Sequence, residues 1–222
     1  MSFLSYLISG ISLGSIYAII ALGYTMVYGI AKMLNFAHGD VIMIGAYVSY
    51  CVTSYLGLNP LLSVLAAVVV CTLLGIVIEG LAYKPLRNAS SLAVLITAIG
   101  VSYLLQNLAL LIWGSTPKSF HSVIDLPALK LFDGRLDITM YPNLLPTTGS
   151  MPGIKAFTAA VFGGIGSIPG AMLGGILLGI IETFAKAYIS TNLANAIVFA
   201  VLIVVLLVKP AGLLGKQIKE KV

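Results

Sequence analysis

Charged residues are scarce in this sequence. Only 9% of its 222 residues are Asp, Glu, Lys or Arg, whereas 59% are hydrophobic. Its mean hydropathy of +1.08 lies far above the values typical of soluble globular domains. A membrane span needs about 20 apolar residues, so the chain is long enough for several. The scarcity of charge therefore excludes an ordinary soluble fold and predicts an integral membrane protein.

The common catalytic and metal-binding motifs are missing as well. The sequence has no G-x-x-x-x-G-K-[ST] loop, no H-E-x-x-H helix and no nucleophile elbow. Cys51 and Cys71 lie inside apolar runs without metal-ligand spacing, which is typical of small buried residues. The net charge of +5 comes from short segments between and after the apolar runs, so no nucleic acid is expected as a partner. We therefore expect no enzyme, no cofactor and no metal site.

Apolar residues instead fill long runs that are separated by short polar segments. We predict an all-α polytopic membrane bundle of about six spans, with one further re-entrant or broken segment. The whole chain, 1–222, is expected to form a single transmembrane domain. The predicted spans are Tyr6–Ile30, Val41–Leu58, Leu61–Tyr83, Leu92–Trp113, Ala171–Tyr188 and Leu193–Val208.

Residues 114–152 differ in character from the apolar runs. They contain five prolines and three aspartates, which excludes a membrane helix and predicts an aqueous loop. Lys84 and Arg87 in the preceding link, and the lysines of the C-terminal tail, are expected to be cytoplasmic. The loop is then extracytoplasmic. A cytoplasmic tail also requires "GIKAFTAAVFGG" (153–164) to supply a further crossing.

Two polar or glycine-rich breaks interrupt the apolar pattern, "NFAHGD" (35–40) and "GGIGSIPG" (163–170). Non-helical backbone at membrane depth is tolerated only where protein or a water-filled cavity receives it, and transporters place such breaks at their substrate sites. Glu182 lies deep in an apolar run and is a candidate for an interior polar contact. The candidate translocation-pathway residues are Asn35, His38, Gly39, Asp40, Gly163, Gly164, Gly166, Ser167, Gly170 and Glu182.

Simpler interpretations of these breaks remain open. His38 and Asp40 could lie in an interfacial loop between two full spans, because the first run is long enough to cross alone. Asp40 could also cap the N-terminus of the second span. The glycines of the second break could serve only packing or turn formation.

Small residues also recur at helical spacing. Gly10, Gly14 and Ala18 are four residues apart, and such a stripe lets another helix approach closely in lipid. The predicted packing residues are Gly10, Gly14, Ala18, Gly174, Gly175 and Gly179.

Four separate stretches resemble the permease subunits of branched-chain amino acid ABC transporters. They agree with that family in order and cover nearly the whole chain. The stretches are "GSIYAIIALGYTMVYGIAKMLNFAHGDVIMIGAY" (14–47), "YKPLRNASSLAVLITAIGVSYLLQN" (83–107), "GIKAFTAAVFGGIGSIPGAMLGGILLGIIE" (153–182) and "LLVKPAGLLGK" (206–216).

The resemblance implies a multi-pass subunit in the cell (inner) membrane that helps to form a pore for branched-chain or other small hydrophobic amino acids. It implies as partners a second permease subunit, cytoplasmic ATP-binding subunits and an extracytoplasmic amino-acid-binding protein. The first break would then border the translocation pathway. The substrate stays open, since urea and amide permeases look similar.

The chain is shorter than members of that family. After "DITMYP" (137–142) the resemblance implies another span, a cytoplasmic loop with a basic coupling helix, and a further span. Without this segment we expect a coupling-defective permease. The alternatives are a non-transporting remnant that competes for assembly, or a channel that conducts without ATP.

Overall fold

The computed structural model describes residues 3–31, 35–87, 89–119, 143–144 and 150–215. Within these residues the fold is all-α, as predicted, apart from one antiparallel pair of two-residue strands, β1 (Lys118–Ser119) and β2 (Asn143–Leu144). The helices are α1 (Phe3–Ala31), α2 (His38–Ser54), α3 (Pro60–Ile78), α4 (Ser91–Trp113), α5 (Ser150–Gly163), α6 (Ile168–Tyr188) and α7 (Ala194–Val208). Most of the predicted 114–152 loop lies outside the described residues.

Local sequence signals set the starts of three helices. The side chain of Asn59 accepts a hydrogen bond from the Leu61 amide at the start of α3. Pro60 is the first residue of this helix and has no backbone N–H that would need a partner. Ser90 accepts from the Ala93 amide before α4, and Ser167 accepts from the Gly170 amide before α6. A π-helical turn (Glu79–Tyr83) and a 3₁₀ turn (Lys84–Leu86) continue α3 into the link before α4.

Four segments in the described part of the chain are long and apolar enough to cross a membrane. They are Phe3–Ile30, Pro60–Leu86, Leu92–Trp113 and Ile168–Tyr188, and α7 is a shorter apolar helix. The predicted second and sixth spans form helices of 17 and 15 residues. The predicted further segment contains α5, a 14-residue helix of about 21 Å. These facts fit a polytopic membrane bundle.

The chain divides into two compact units. The first contains Met1–Met33 and Ile154–Val222, and the second contains Leu34–Gly153. In the first unit, α6 lies antiparallel to α1, since Gly10 meets Ile180 and Gly14 meets Ile176. It also lies antiparallel to α5, since Gly163 meets Gly170 and Ala159 meets Gly174.

In the second unit, α2 packs between α3 and α4. Gly45 meets Cys71 and the hydroxyls of Ser49 and Ser63 lie 2.8 Å apart, so α2 and α3 are antiparallel. Asp40 contacts Ser102, and Tyr47 stacks on Trp113 with 4.5 Å between ring centroids. The α2 and α4 helices therefore run parallel.

Candidate functional site

The first break is an ordered turn that leads into α2. The side-chain oxygen of Asn35 accepts the Ala37 amide at 3.0 Å and the Tyr83 hydroxyl at 2.7 Å. The amide of His38 donates to the Asn35 carbonyl at 3.2 Å. Ala37 and Gly39 are buried and His38 is partly buried. The turn is thus anchored to the end of the α3 segment through Tyr83.

The start of α2, at the end of this break, contacts α3 and α4 near the middle of each helical segment. Asp40 accepts a hydrogen bond from Ser102, the twelfth of the 23 residues of α4 and so about 17 Å from either end of that helix. On the other side, Cys71 donates to the Val41 carbonyl at 3.4 Å and lies midway between Pro60 and Tyr83. The start of α2 is therefore level with the centres of two apolar helices, which argues against a loop at the membrane interface.

Asp40 is almost completely enclosed, at 1% exposure. Its Oδ2 accepts from Ser102, whose hydroxyl also receives a hydrogen bond from Gln106 at 3.1 Å. Its Oδ1 has no hydrogen-bond partner, and no ion pair joins it to any lysine or arginine among the described residues. Asp40 does not cap α2, because the N-cap residue is Ala37 and the cap has no side-chain hydrogen bond.

The second break lies at an end of its helices. Gly164 and Gly166 have φ of +110° and +87°, a conformation that favours glycine and lets the chain turn between α5 and α6. Leu213 donates to the Phe162 carbonyl at 2.9 Å and Leu214 to the Gly163 carbonyl at 2.8 Å. The segment after α7 therefore satisfies the last carbonyls of α5. Ser167 and Gly170 form the capped start of α6.

Glu182 forms the centre of a charged cluster in the first unit. It is fully buried, and its Oε1 lies 2.6 Å from the Nζ atoms of both Lys155 and Lys186. Its Oε2 accepts the Tyr17 hydroxyl at 2.9 Å. Lys155 is itself only 7% exposed. The cluster connects α1, α5 and α6, and it contains two cations for one carboxylate.

The predicted packing glycines lie where backbones approach closely. A Cβ added to Gly14 would come within 2.7 Å of the Ile176 Cα, and one added to Gly10 within 2.9 Å of the Ile180 Cα. Added to Gly175 or Gly179, it would meet the backbone of Ala18 or Gly14. Gly174 has no room for a Cβ, because the Ala159 carbonyl occupies that place.

Several partners of these residues were not among the sequence candidates. Lys155 had a signal in the sequence, since a lysine beside an apolar run is costly in lipid unless it is paired. Tyr17, Tyr83 and Ser102 had none, because a hydroxyl in an apolar helix occurs at packing positions and polar sites alike. No three His, Cys, Asp or Glu side chains gather to hold a metal ion in the described ranges.

Long apolar helices, an interrupted segment at mid-depth and buried charges define a multi-pass membrane protein of the transport class. The family described as "Branched-chain amino acid transport system / permease component" matches residues 6–129 and 134–206. The chain belongs to this family. It is a permease subunit of the branched-chain amino acid ABC transporter type and a multi-pass protein of the inner (cell) membrane.

Its relatives carry the same description in their names. The high-affinity branched-chain amino acid transport system permease protein LivH of Escherichia coli strain K12 is 36% identical, over 99% of this chain and 98% of LivH. The corresponding protein BraD of Pseudomonas aeruginosa is 35% identical over the same shares. A probable LivH of Methanocaldococcus jannaschii is 24% identical over 91% of this chain and 89% of its own length. No solved structure matches the chain.

The alignment with LivH also shows where this chain differs from its relatives. It extends over 301 positions, which exceeds the 222 residues of this chain by 79. At least 79 residues of LivH in that alignment therefore have no counterpart in this chain. Because nearly the full length of both proteins is aligned, the missing positions are internal.

Proposed function

We propose that this subunit contributes to the translocation pathway of an importer for branched-chain or other small hydrophobic amino acids. The observation that supports this is the position of Asp40, a buried carboxylate at the start of a helix that begins level with the middle of its neighbours. Interrupted helices at such a depth are the usual substrate sites of transporters. The names of LivH and BraD supply the substrate class.

The same proposal assigns the partners. A second permease subunit would complete the pathway, cytoplasmic ATP-binding subunits would supply energy, and an extracytoplasmic binding protein would deliver the amino acid. ATP hydrolysis would then reside on another chain, in line with the lack of a nucleotide-binding motif in this sequence.

The proposed topology places 114–152 outside and the α3–α4 link inside. Arg87 and Lys84 in that link support it. Single cysteines at Ser119 and Ser90, in a chain whose Cys51 and Cys71 are replaced by serine, would be labelled with an impermeant thiol reagent. We expect labelling of position 119 alone from outside. Labelling of position 90 alone would reverse the topology.

We further propose that this chain inserts and folds but does not couple ATP hydrolysis to uptake. A nucleotide shifts a conformational equilibrium only through contacts that differ between the two states. The missing positions are expected to include the cytoplasmic segment that makes those contacts. A second candidate function follows from this deficit, namely a non-transporting permease remnant that competes for assembly.

Reconstitution tests these proposals. The chain would be combined with its partner permease, ATP-binding subunits and binding protein in vesicles, and leucine uptake and leucine-stimulated ATP hydrolysis would be measured. We expect neither with this chain, and both after the missing segment of a relative is inserted near Pro142. Full uptake by the chain as it stands would overturn the coupling proposal. Failure of the restored chain to transport would overturn the proposed substrate pathway.

Co-purification separates the two candidate functions. A permease subunit, even an uncoupled one, should still assemble with the second permease. If the chain also retains the ATP-binding subunits stoichiometrically, the loss of their docking segment is not the defect. A chain that displaces the full-length permease and lowers uptake would be an assembly competitor.

A further inference from the structure

Two of the polar side chains buried along α2 lie on one face of that helix. Asp40 and Tyr47 are seven residues apart, which returns to nearly the same side of an α-helix. Asp40 Oδ1 and the Tyr47 hydroxyl are both buried and both lack a hydrogen-bond partner. The two residues are about 10 Å apart along the helix, so they do not share one partner. Buried groups of this kind in native structures nearly always have a partner, so Asp40 Oδ1 points to a missing one.

The missing partner must carry positive charge or a donated proton. An ionised carboxylate accepts hydrogen bonds and donates none, and a hydroxyl can also accept. Asp40 is a buried acid with no lysine or arginine partner among the described residues, in contrast to Glu182 with two lysines. A negative charge at membrane depth is unfavourable until a cation or a proton neutralises it.

The surroundings suit an ammonium group better than a metal ion. Hard metal ions need several oxygen ligands, and no cluster of three acidic or other metal-binding side chains forms in the described part of the chain. An ammonium group needs only a few acceptors, which a carboxylate oxygen and hydroxyls can supply. Ser102 and Gln106, which lie next to Asp40 on α4, are themselves only partly buried.

We propose that Asp40 binds the ammonium group of the permeant solute at the middle of the second unit. This inference rests on the proposed function and names the chemistry of recognition at the same site. The α-ammonium of an amino acid neutralises Asp40 when it is bound. Asp40 thereby distinguishes an amino acid from a carboxylic acid of the same shape.

The single tryptophan of the chain, Trp113, provides an optical readout within the same unit. Trp113 stacks on Tyr47 at an interplanar angle of 18°, and its indole N–H contacts Cys51 Sγ at 3.0 Å. The full chain in nanodiscs would be titrated with isoamylamine, which has the apolar tail and ammonium of leucine without the carboxylate. Isocaproate, which has the tail and the carboxylate without the ammonium, serves as the matched probe. Equilibrium dialysis with radiolabelled amine would run in parallel, so that a silent Trp113 is not mistaken for lack of binding.

We expect saturable binding of isoamylamine and none of isocaproate. Asp40→Asn should weaken amine binding at least about tenfold, because the ammonium loses its charged partner. Tyr47→Phe, which keeps the ring against Trp113, should leave amine binding close to that of the parent. Glu79→Gln is the control, since Glu79 forms an exposed ion pair with Arg87 in the same unit. Each variant must first elute as a monodisperse species with the emission maximum of the parent.

The inference is wrong if the parent chain does not bind the amine, or if Asp40→Asn binds it as the parent does. A saturable response to sodium chloride without one to the amine would also overturn it, in favour of a metal cation. Leucine uptake by the segment-restored chain separates this inference from the proposed function. Uptake unchanged by Asp40→Asn refutes the ammonium site alone. Asp40-dependent amine binding without any uptake refutes the transport function and leaves the ammonium site standing.

Discussion

Glu182 in the first unit and Asp40 in the second are both carboxylates buried in apolar helices, yet their surroundings are opposite. Glu182 contacts two ammonium groups and a tyrosine hydroxyl. Asp40 receives one hydrogen bond and has one oxygen without a partner. A carboxylate whose partners all belong to the protein fixes its helices. One that lacks a partner indicates that something else binds there. We therefore assign a structural role to Glu182, and the unpaired oxygen of Asp40 is the basis for the proposed ligand-binding role.

The largest expected effect that tests this contrast comes from Glu182→Ala. The change leaves Lys155 buried without a counter-ion, and removal of one member of a buried ion pair costs about 3–5 kcal/mol. The midpoint of heat-induced aggregation in detergent, read by size-exclusion chromatography, should fall markedly. The matched control is Glu79→Ala, which breaks an exposed pair worth about 0–1 kcal/mol. Equal midpoints for the two variants would remove the structural role of Glu182.

A smaller loss of stability is expected when a larger side chain replaces a glycine at the contact between α1 and α6. Gly14→Leu would force α1 away from the Ile176 backbone, and overpacking of this kind costs about 1–3 kcal/mol. The same assay would compare it with Gly29→Leu, because Gly29 in the same helix has no atom within 4 Å of an added Cβ. If both variants aggregate at the temperature of the parent, the α1–α6 contact contributes no specific packing.

Tyr17→Phe should have a still smaller effect on the first unit. It removes one of three partners of Glu182 and leaves both lysines in place. Single hydrogen bonds between membrane helices contribute about 0.6 kcal/mol on average. Tyr6→Phe is the control, since the Tyr6 ring packs on Phe184 and Tyr188 and the change keeps those ring contacts. A loss as large as that of Glu182→Ala would mean that Tyr17, and not the lysines, holds the carboxylate.

The least effect on stability is expected for the residue with the fewest partners. Asp40→Asn keeps a carbonyl that can accept from Ser102 and removes an uncompensated buried charge, so the aggregation midpoint should stay equal or rise. A fall comparable to that of Glu182→Ala would show that Asp40 already has a cationic partner within the protein. The contrast between the two carboxylates would then disappear.

Part of this architecture could be predicted from the sequence because it depends on transfer of apolar groups into lipid. Runs such as Leu92–Trp113 must be helical, since lipid offers their backbone groups no partners, and the structure has α4 at Ser91–Trp113. The breaks were visible for the same reason, because Asn35, Asp40 and the glycines of 163–170 interrupt those runs. The family followed from four motifs in a consistent order.

Only the tertiary structure decided how each polar residue is used. The sequence treats "NFAHGD" and "GGIGSIPG" as similar breaks, but the first is level with the centre of α4 and the second lies at the end of α5, capped by the segment after α7. Asp40 and Glu182 are likewise both acidic residues in apolar surroundings of the sequence. Their partners, Ser102 in one case and Lys155 in the other, lie 62 and 27 residues away. Helix packing alone brings such distant residues together, and it thereby determines which carboxylate is paired with lysines and which keeps an oxygen without a partner.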